Sequence, residues 1–291
     1  MISLSLFDLL ALGLVIFIGL PHGAFDGAVY ALLPNQASDG ARKKSLPLFL
    51  GLYVTLTIAI ILIWLALPLA SLSGFLALSA YHFGKGDTEG FHGYARILAL
   101  IVHGGLVTIW LPVIHHEQAL AYFAALTFRD LEMMRSLSSV FFGIGALWAG
   151  LLIIYGRMAW VNPYYRGRFA EIIILAIAMG FLPLIPAFAL YFCFIHSRRH
   201  FTALYQATKS LAPQSVWPLG LGLSLASWLA GGIMLFILNQ TQDFAISAIQ
   251  IIFIGLAALT VPHMILIDGL WRPLARFHPF AQNISQNRRT S

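Results

Sequence analysis

Apolar segments recur along the whole of this 291-residue chain, and only short polar breaks separate them. Charged residues make up 10% of the sequence and apolar residues 59%, whereas a soluble domain carries roughly 25% charged residues. A water-soluble protein of this size needs more charge to cover its surface, so an ordinary cytosolic enzyme, a disordered protein and a nucleic-acid binder are excluded as first interpretations. The pattern predicts an all-α fold, a polytopic bundle of transmembrane helices whose apolar surface lies in lipid.

The hydrophobic pattern predicts about nine spans. They are placed at 2–21, 47–68, 71–83, 95–114, 137–155, 169–182, 187–207, 217–238 and 244–267. A straight span needs about 20 residues, so the third and sixth segments are short for full insertion. Pro183 and Pro186 interrupt the long apolar run from Glu171 to Ile195. Because proline lacks the N–H that a helix interior needs, this run is divided into two helices.

Basic residues support this division and predict an orientation. If the N-terminus is outside, nearly all Lys and Arg fall in cytoplasmic loops, as is typical of membrane proteins. Arg129 and Arg135 fall outside, in a loop that also carries acidic residues. Without the division, Arg198 and Arg199 would lie on the outer side. We therefore expect a multi-pass protein of the inner cell membrane with a cytoplasmic C-terminus.

The breaks between the segments are too short for a second folded domain. The longest are 115–136 and the tail after Leu270. The sequence thus predicts one membrane-embedded domain at 1–270 and a basic C-terminal tail at 271–291. No basic residue precedes the apolar stretch from Ile2 to Leu20, and no small-residue cleavage site follows it, so we expect a retained first helix rather than a signal peptide.

Histidine is the unusual polar residue of this chain, with ten copies. In the nine-span topology, several histidines from four helices reach a similar depth near the inner side: His22, His82, His196, His200 and His263. Polar groups inside a bilayer are costly and tend to be functional. His196 and His200 are spaced i, i+4, which places both imidazoles on one helix face. Such a pair, with histidines of neighbouring helices, can enclose iron, copper, zinc or nickel.

A structural role stays open for each of these histidines, which can also bond to the backbone or cap helices. Asp26, four residues after His22, is the best candidate to accept the second N–H of a ligand histidine, but it can equally be an interface carboxylate. Asp87, five residues after His82, is expected to be part of a loop. A single cysteine, Cys193, excludes a multi-cysteine metal site.

Two further histidine positions are separate from this group. His103 lies midway along the fourth predicted helix. The pair His115 and His116 falls at the opposite end of that helix and is expected to be interfacial.

Short motifs around these histidines follow one another in a fixed order from residue 21 to residue 268. They are Pro21-His22-Gly23-Ala24-Phe25-Asp26, Tyr81-His82-Phe83-Gly84 with Asp87, His103-Gly104 with Pro112, His196-Ser197-Arg198-Arg199-His200, and Pro262-His263-Met264 with Asp268. The ordered set resembles the Brp/Blh family, integral-membrane β-carotene 15,15′-dioxygenases of bacteria and archaea. The resemblance covers nearly the whole chain.

This resemblance implies that the domain at 1–270 is catalytic and cleaves β-carotene with O2 at its central double bond, giving two molecules of all-trans-retinal. It also implies Fe(II) as cofactor. The implied metal ligands and catalytic residues are His22, His82, His196 and His200. Residues expected behind the ligands or in the substrate pocket are Asp26, Tyr81, His103 and His263. Implied partners are β-carotene, O2, the lipid bilayer and, functionally, a retinal-binding rhodopsin, with no nucleic acid.

Other functions stay open from the sequence. A different histidine-ligated membrane oxygenase, such as a di-iron desaturase or hydroxylase, carries repeated H-x3-H and H-x-x-H-H clusters, whereas this chain has one H-x3-H and no H-x-x-H-H. A non-enzymatic carotenoid or retinal carrier that assists rhodopsin assembly would bind pigment without consuming oxygen. A transporter ranks lower, because few charges lie at mid-membrane.

Overall fold

A computed structural model describes residues 2–25, 39–88, 90–208 and 216–265. Within these ranges the chain forms helices and no β-strand, so the predicted all-α class is confirmed. The α-helices are α1 (Leu6–Leu14), α2 (Pro21–Ala24), α3 (Asp39–Ala66), α4 (Pro68–Asp87), α5 (Gly93–Gly105), α6 (Leu111–Ile114), α7 (His116–Thr127), α8 (Leu131–Ser136), α9 (Ser138–Val161), α10 (Arg166–Phe181), α11 (Leu184–Tyr191), α12 (Arg198–Thr208), α13 (Val216–Leu238) and α14 (Phe244–Met264).

Local sequence explains where several of these helices begin and end. Ser5 caps α1 by accepting a hydrogen bond from the Asp8 amide, while the Asp8 side chain accepts one from the Ser5 amide. Pro68 stands at the first position of α4, where its missing N–H costs nothing. Pro183 separates α10 from α11, which confirms the division of the long apolar run. Phe128 ends α7 in the left-handed conformation, with φ of 55°.

Three of the helical runs in the described part contain a π-helical turn. These turns are Val15–Gly19 after α1, Leu106–Trp110 between α5 and α6, and Phe192–Ser197 between α11 and α12. A π turn is rare and often lies at a functional site, because the added residue changes the face that the following side chains occupy. The third turn contains His196, and the first leads into α2, whose backbone includes His22.

All nine predicted helices are found as helical segments, but five of the described helices are long and apolar enough to cross a membrane. These are Leu46–Ala66, Gly93–Ile114, Ser138–Val161, Trp217–Leu238 and Phe244–Met264. The third predicted segment is longer than expected, because α4 has 20 residues, whereas α10, the sixth, has 16; neither is among the five candidate spans. The chain is a helical membrane protein with at least these candidate spans.

The expected break at 115–136 contains two helices, α7 and α8. Along α7, the side chains of Ala119, Tyr122 and Leu126 are buried, and the helix packs against α4 and α14. Its sequence also carries His, Glu and Gln and is shorter than a span, which is why hydropathy alone did not predict it.

Burial separates central from peripheral helices. Within an 18-residue stretch of each helix, 56% of the residues are buried in the α5–α6 segment and 44% in α14, whereas the share is 6% in α3 and in α13. The large apolar side chains that α3 and α13 expose need lipid around them. The core therefore lies around α5 and α14, with α1, α4 and α11 packed beside them.

The crossing of α4 and α5 brings two backbones into direct contact. A Cβ on Gly84 would overlap the carbonyl group of Leu100, and a Cβ on Gly104 would overlap that of Ala80. Small residues at such crossings let membrane helices approach closely. This contact fixes the end of α4 that carries His82.

Candidate active site

Segments from three parts of the described chain each present an apolar face that ends in a histidine. The faces are Leu72, Phe75, Leu76, Ser79 and His82 on α4; Leu184, Phe188, Phe192 and His196 on α11 and its π turn; and Phe253, Leu256, Thr260 and His263 on α14. The Phe188 and Phe253 rings are 5.4 Å apart. Since the histidines also meet, the three segments run in parallel and deliver imidazoles to one end.

Four imidazole rings form a continuous cluster at that end. The ring centre of His82 lies 5.0 Å from that of His196 and 5.1 Å from that of His263. The ring centres of His263 and His200 are 5.3 Å apart. Two imidazoles that bind one ion at about 2.1 Å, with an angle between about 90° and 109°, have ring centres about 4.6–5.3 Å apart. The spacing of neighbouring rings therefore fits shared metal coordination.

The donor chemistry also fits a transition metal. The Nε2 atoms of His82, His200 and His263 are buried, and imidazole nitrogen suits iron, copper and zinc. Among the described side chains, however, no group of three or more His, Cys, Asp or Glu could hold a metal ion by itself. The side chain of His22 and the whole of Asp26 lie outside the described part of the chain.

An elongated apolar cleft leads away from the histidine cluster. Counted out to its open mouth, its empty space is about 1080 Å³. From Leu72 to Phe83, α4 lines it over about 16 Å, at about 1.5 Å per residue. Tyr122 and Phe123 of α7 form the wall far from the histidines. Leu, Phe and other apolar side chains dominate the lining, so the cleft suits a long hydrocarbon.

Asp87 is buried at the end of α4, with 4% of its surface exposed, so its expected placement in a loop is wrong. Its carboxylate accepts a hydrogen bond from the Tyr191 hydroxyl at 2.9 Å and pairs with the Arg199 guanidinium. The other arm of Arg199 pairs with Glu171, which also binds Arg168 at 2.9 Å. A chain of charged groups thus lies beside the histidine cluster.

Two described candidate residues, His103 and Tyr81, lie outside the cluster. His103 is buried but does not line the cleft; its Nε2 is 3.4 Å from the Tyr155 hydroxyl and its Nδ1 is 3.9 Å from the Asp87 carboxylate. Tyr81 is 44% exposed, with the Lys85 ammonium 5.3 Å from its ring centre. The structure therefore brings together His82, His196, His200 and His263, but not Tyr81 or His103.

His115 and His116 lie at the opposite end of the cleft from the cluster. The Nε2 of His115 is 3.0 Å from the Met179 carbonyl oxygen. Beside them, a hydrogen bond from Arg135 lowers the pKa of the Glu117 carboxyl. His115 and His116 therefore have their own neighbours and do not belong to the imidazole cluster.

Sequence reasoning missed Arg199 and Glu171 as neighbours of the site. Both carried a signal: Glu171 is the acidic residue of an otherwise apolar segment, and Arg199 stands between two candidate ligands. A charge inside a membrane segment needs a partner, and each of these residues is the partner of the other.

Comparison with known proteins gives consistent matches over most of the chain. The family profile described as Beta-carotene 15,15'-dioxygenase matches residues 13–271. A protein named Beta-carotene 15,15'-dioxygenase, from uncultured marine bacterium 66A03, is 38% identical over 272 residues, which cover 93% of this chain and 96% of that protein. A protein named Probable beta-carotene 15,15'-dioxygenase Blh, from Halobacterium salinarum, is 23% identical over 284 residues, covering 87% of this chain and 81% of the relative.

No solved structure matches the chain. The profile match nevertheless includes the three segments that build the cleft and all four histidines of the cluster. On this extent of similarity, the chain belongs to the β-carotene 15,15′-dioxygenase family.

Proposed function

We propose that this protein cleaves β-carotene at the central 15,15′ double bond with O2 and releases two molecules of all-trans-retinal. Family membership supports the reaction. The observation in the fold that carries the proposal is the apolar cleft that ends at the histidine cluster. A long hydrocarbon binds by burial of apolar surface, and its reacting bond must be held beside the metal.

His22, His82, His196 and His200 are proposed as ligands of Fe(II) and as the catalytic residues. The ring spacing of His82 and His196 supports these two as ligands, and His200 joins the same cluster through His263. Leu20 and Gly23, close to His22 in sequence, line the same cleft. Four neutral imidazoles suit ferrous iron. When bound, Fe(II) supplies the activation of dioxygen, which the side chains of this chain do not provide.

The residues behind this set have supporting roles in the proposal. His263 lines the cleft and contacts both His82 and His200 by ring packing, so it shapes the end of the pocket where the substrate bond lies. Asp26 is proposed to accept the second N–H of His22. His103 acts at a distance, through its proximity to Asp87. Tyr81 faces outward and has no contact role in the proposed site.

The protein determines which bond is cleaved by limiting how far the substrate enters. One half of the polyene fills the cleft between the histidines and the wall formed by Tyr122 and Phe123. Its position along the helices then places the central bond at the cluster. The equation balances with one O2 per β-carotene, because each half receives one oxygen atom as an aldehyde.

The proposed topology has nine spans in the inner membrane, with the N-terminus outside, a catalytic domain at 1–270 and a basic cytoplasmic tail at 271–291. The third, seventh and ninth spans of such a chain must run in the same direction. The parallel course of α4, the α11 segment and α14 supports this arrangement. The retinal product is proposed to supply a retinal-binding rhodopsin.

Product analysis tests the reaction. Purified protein reconstituted with Fe(II) is incubated with β-carotene in air and under nitrogen, beside the variants His196→Ala and His116→Ala. We expect a symmetric C20 aldehyde in air alone, lost in His196→Ala and kept in His116→Ala, since His116 packs against Phe142 and does not line the cleft. Long asymmetric apocarotenals would reject central cleavage. Pigment binding without conversion would identify a carrier instead.

A further inference from the structure

The π turn Phe192–Ser197 carries His196 and is followed at once by α12 with His200. Two polar contacts that flank this turn meet at one residue, Asp87, at the end of α4. The Tyr191 hydroxyl, directly before the turn, donates to one carboxylate oxygen of Asp87 at 2.9 Å. The guanidinium of Arg199, the second residue after the turn, pairs with the other. Asp87 therefore contacts one residue on each side of the turn.

The same helix end also carries His82, five residues before Asp87. Asp87 thus joins α4, with one imidazole of the cluster, to the segment that presents two others. Arg199 extends this connection to α10, because its second arm pairs with Glu171. Asp87 is almost fully buried, so these contacts are shielded from water and count for more than a surface pair.

We propose that Asp87 and Arg199 are positioning residues that hold the π turn and thereby set the spacing of the imidazole cluster. An inserted π residue can be released if the turn relaxes to α-helical geometry. Relaxation would rotate the residues on one side of the turn by about 100° relative to the other, since an α-helix has about 3.6 residues per turn. His196 and His200 would then no longer face His82 together. The inference rests on the proposed function, in which these imidazoles bind a metal.

Outer partners of metal ligands commonly change metal affinity about 10- to 100-fold when removed. Asp87→Asn keeps the shape of the side chain and removes the charge that pairs with Arg199. Arg199→Gln removes the guanidinium, while Arg199→Lys keeps a positive charge that can reach one carboxylate but not two. Asp87 and Arg199 act through one contact. The double variant should therefore lose about as much metal affinity as the more strongly affected single variant, and less than the product of the two single losses.

The test measures metal affinity of the full chain in detergent by competition with a chelator, with Co²⁺ as a spectroscopic probe and Fe²⁺ in parallel. Thermal unfolding of the metal-free protein is measured alongside. Arg135→Gln serves as the control, because Arg135 also pairs with a carboxylate, that of Glu117, and neither residue lines the cleft. We expect about 10- to 100-fold weaker binding and an altered Co²⁺ absorption spectrum for Asp87→Asn and Arg199→Gln. Arg199→Lys should be intermediate and Arg135→Gln unchanged.

Wild-type affinity and spectrum in Asp87→Asn, Arg199→Gln and Arg199→Lys would overturn the inference, even if their melting temperatures fall, because stability alone would then explain the contacts. Multiplicative losses in the double variant would also overturn it. If the wild-type protein itself binds neither Co²⁺ nor Fe²⁺, the proposed function fails, which is a separate result. If Asp87→Asn does not fold, the Arg199→Lys spectrum still decides.

Discussion

The contact between α4 and α5 permits a sharp test of how the cluster is held. Gly84 and Gly104 each face backbone across the crossing, so an added methyl group meets a carbonyl and not a movable side chain. No rotamer change can relieve this overlap, and the helices must separate. Overpacking of this kind costs about 1–3 kcal/mol, and the rigid obstacle places Gly84→Ala at the upper end of that range.

Gly74 provides the internal control, since it lies on the same helix with nothing within 4 Å of an added Cβ. Alanine is favoured over glycine within a helix by roughly 0.5–1 kcal/mol. Gly74→Ala is therefore expected to leave the free energy of unfolding unchanged or to raise it. The difference between the two variants isolates the steric effect from the change in residue type.

The assay is thermal unfolding of both variants in the same detergent, together with Co²⁺ affinity. Gly84→Ala should melt below the wild-type protein and bind Co²⁺ more weakly, because His82 lies two residues from the substitution. Gly74→Ala should match the wild type in both. Equal melting temperatures for Gly84→Ala and wild type would refute the close crossing, and equal losses in both variants would refute its steric origin.

Four other predictions address the cleft, the core, the metal and the surface. Leu76→Trp fills the cleft away from the histidines and should raise KM for β-carotene about tenfold, with unchanged metal content by elemental analysis. Trp148→Phe removes the indole N–H that donates to the Val102 carbonyl at 3.0 Å and should lower unfolding free energy by about 1–3 kcal/mol in denaturation experiments. Chelation should abolish retinal formation measured by chromatography, and Fe²⁺ but not redox-inactive Zn²⁺ should restore it. Arg135→Gln breaks an exposed pair with Glu117 and should leave the melting temperature unchanged.

Hydropathy was sufficient to predict the helices because each long apolar run must satisfy its backbone within a helix when it lies in lipid. It also predicted a similar depth for several histidines, and in the structure the rings of His82, His196 and His263 do lie next to one another. The same reasoning missed α7, whose polar residues face one way and whose buried residues close the cleft. Short amphipathic helices carry too little total hydropathy for such a test.

Contacts between residues far apart in the sequence could not be predicted, for a different reason. Helical periodicity predicts a depth and a face, but not the neighbour that the face meets. Asp87 therefore seemed to belong to a loop, although it is bound by Tyr191 and Arg199. The π turns are equally hidden, because no residue pattern in Phe192–Ser197 distinguishes it from an ordinary apolar helix.

The cleft and the imidazole cluster share the same helices, so in the proposed function substrate position is coupled to metal binding. On α4, about three helical turns separate Leu72, deep in the cleft, from His82 at the cluster. A shift of α4 along its axis would change the length of the cleft and the spacing of the imidazoles together. The contacts that fix this helix, the glycine crossing with α5 and the Asp87 pair with Arg199, lie at its histidine end. The bond that is cleaved therefore depends on how firmly that end is held, and not on the apolar lining alone.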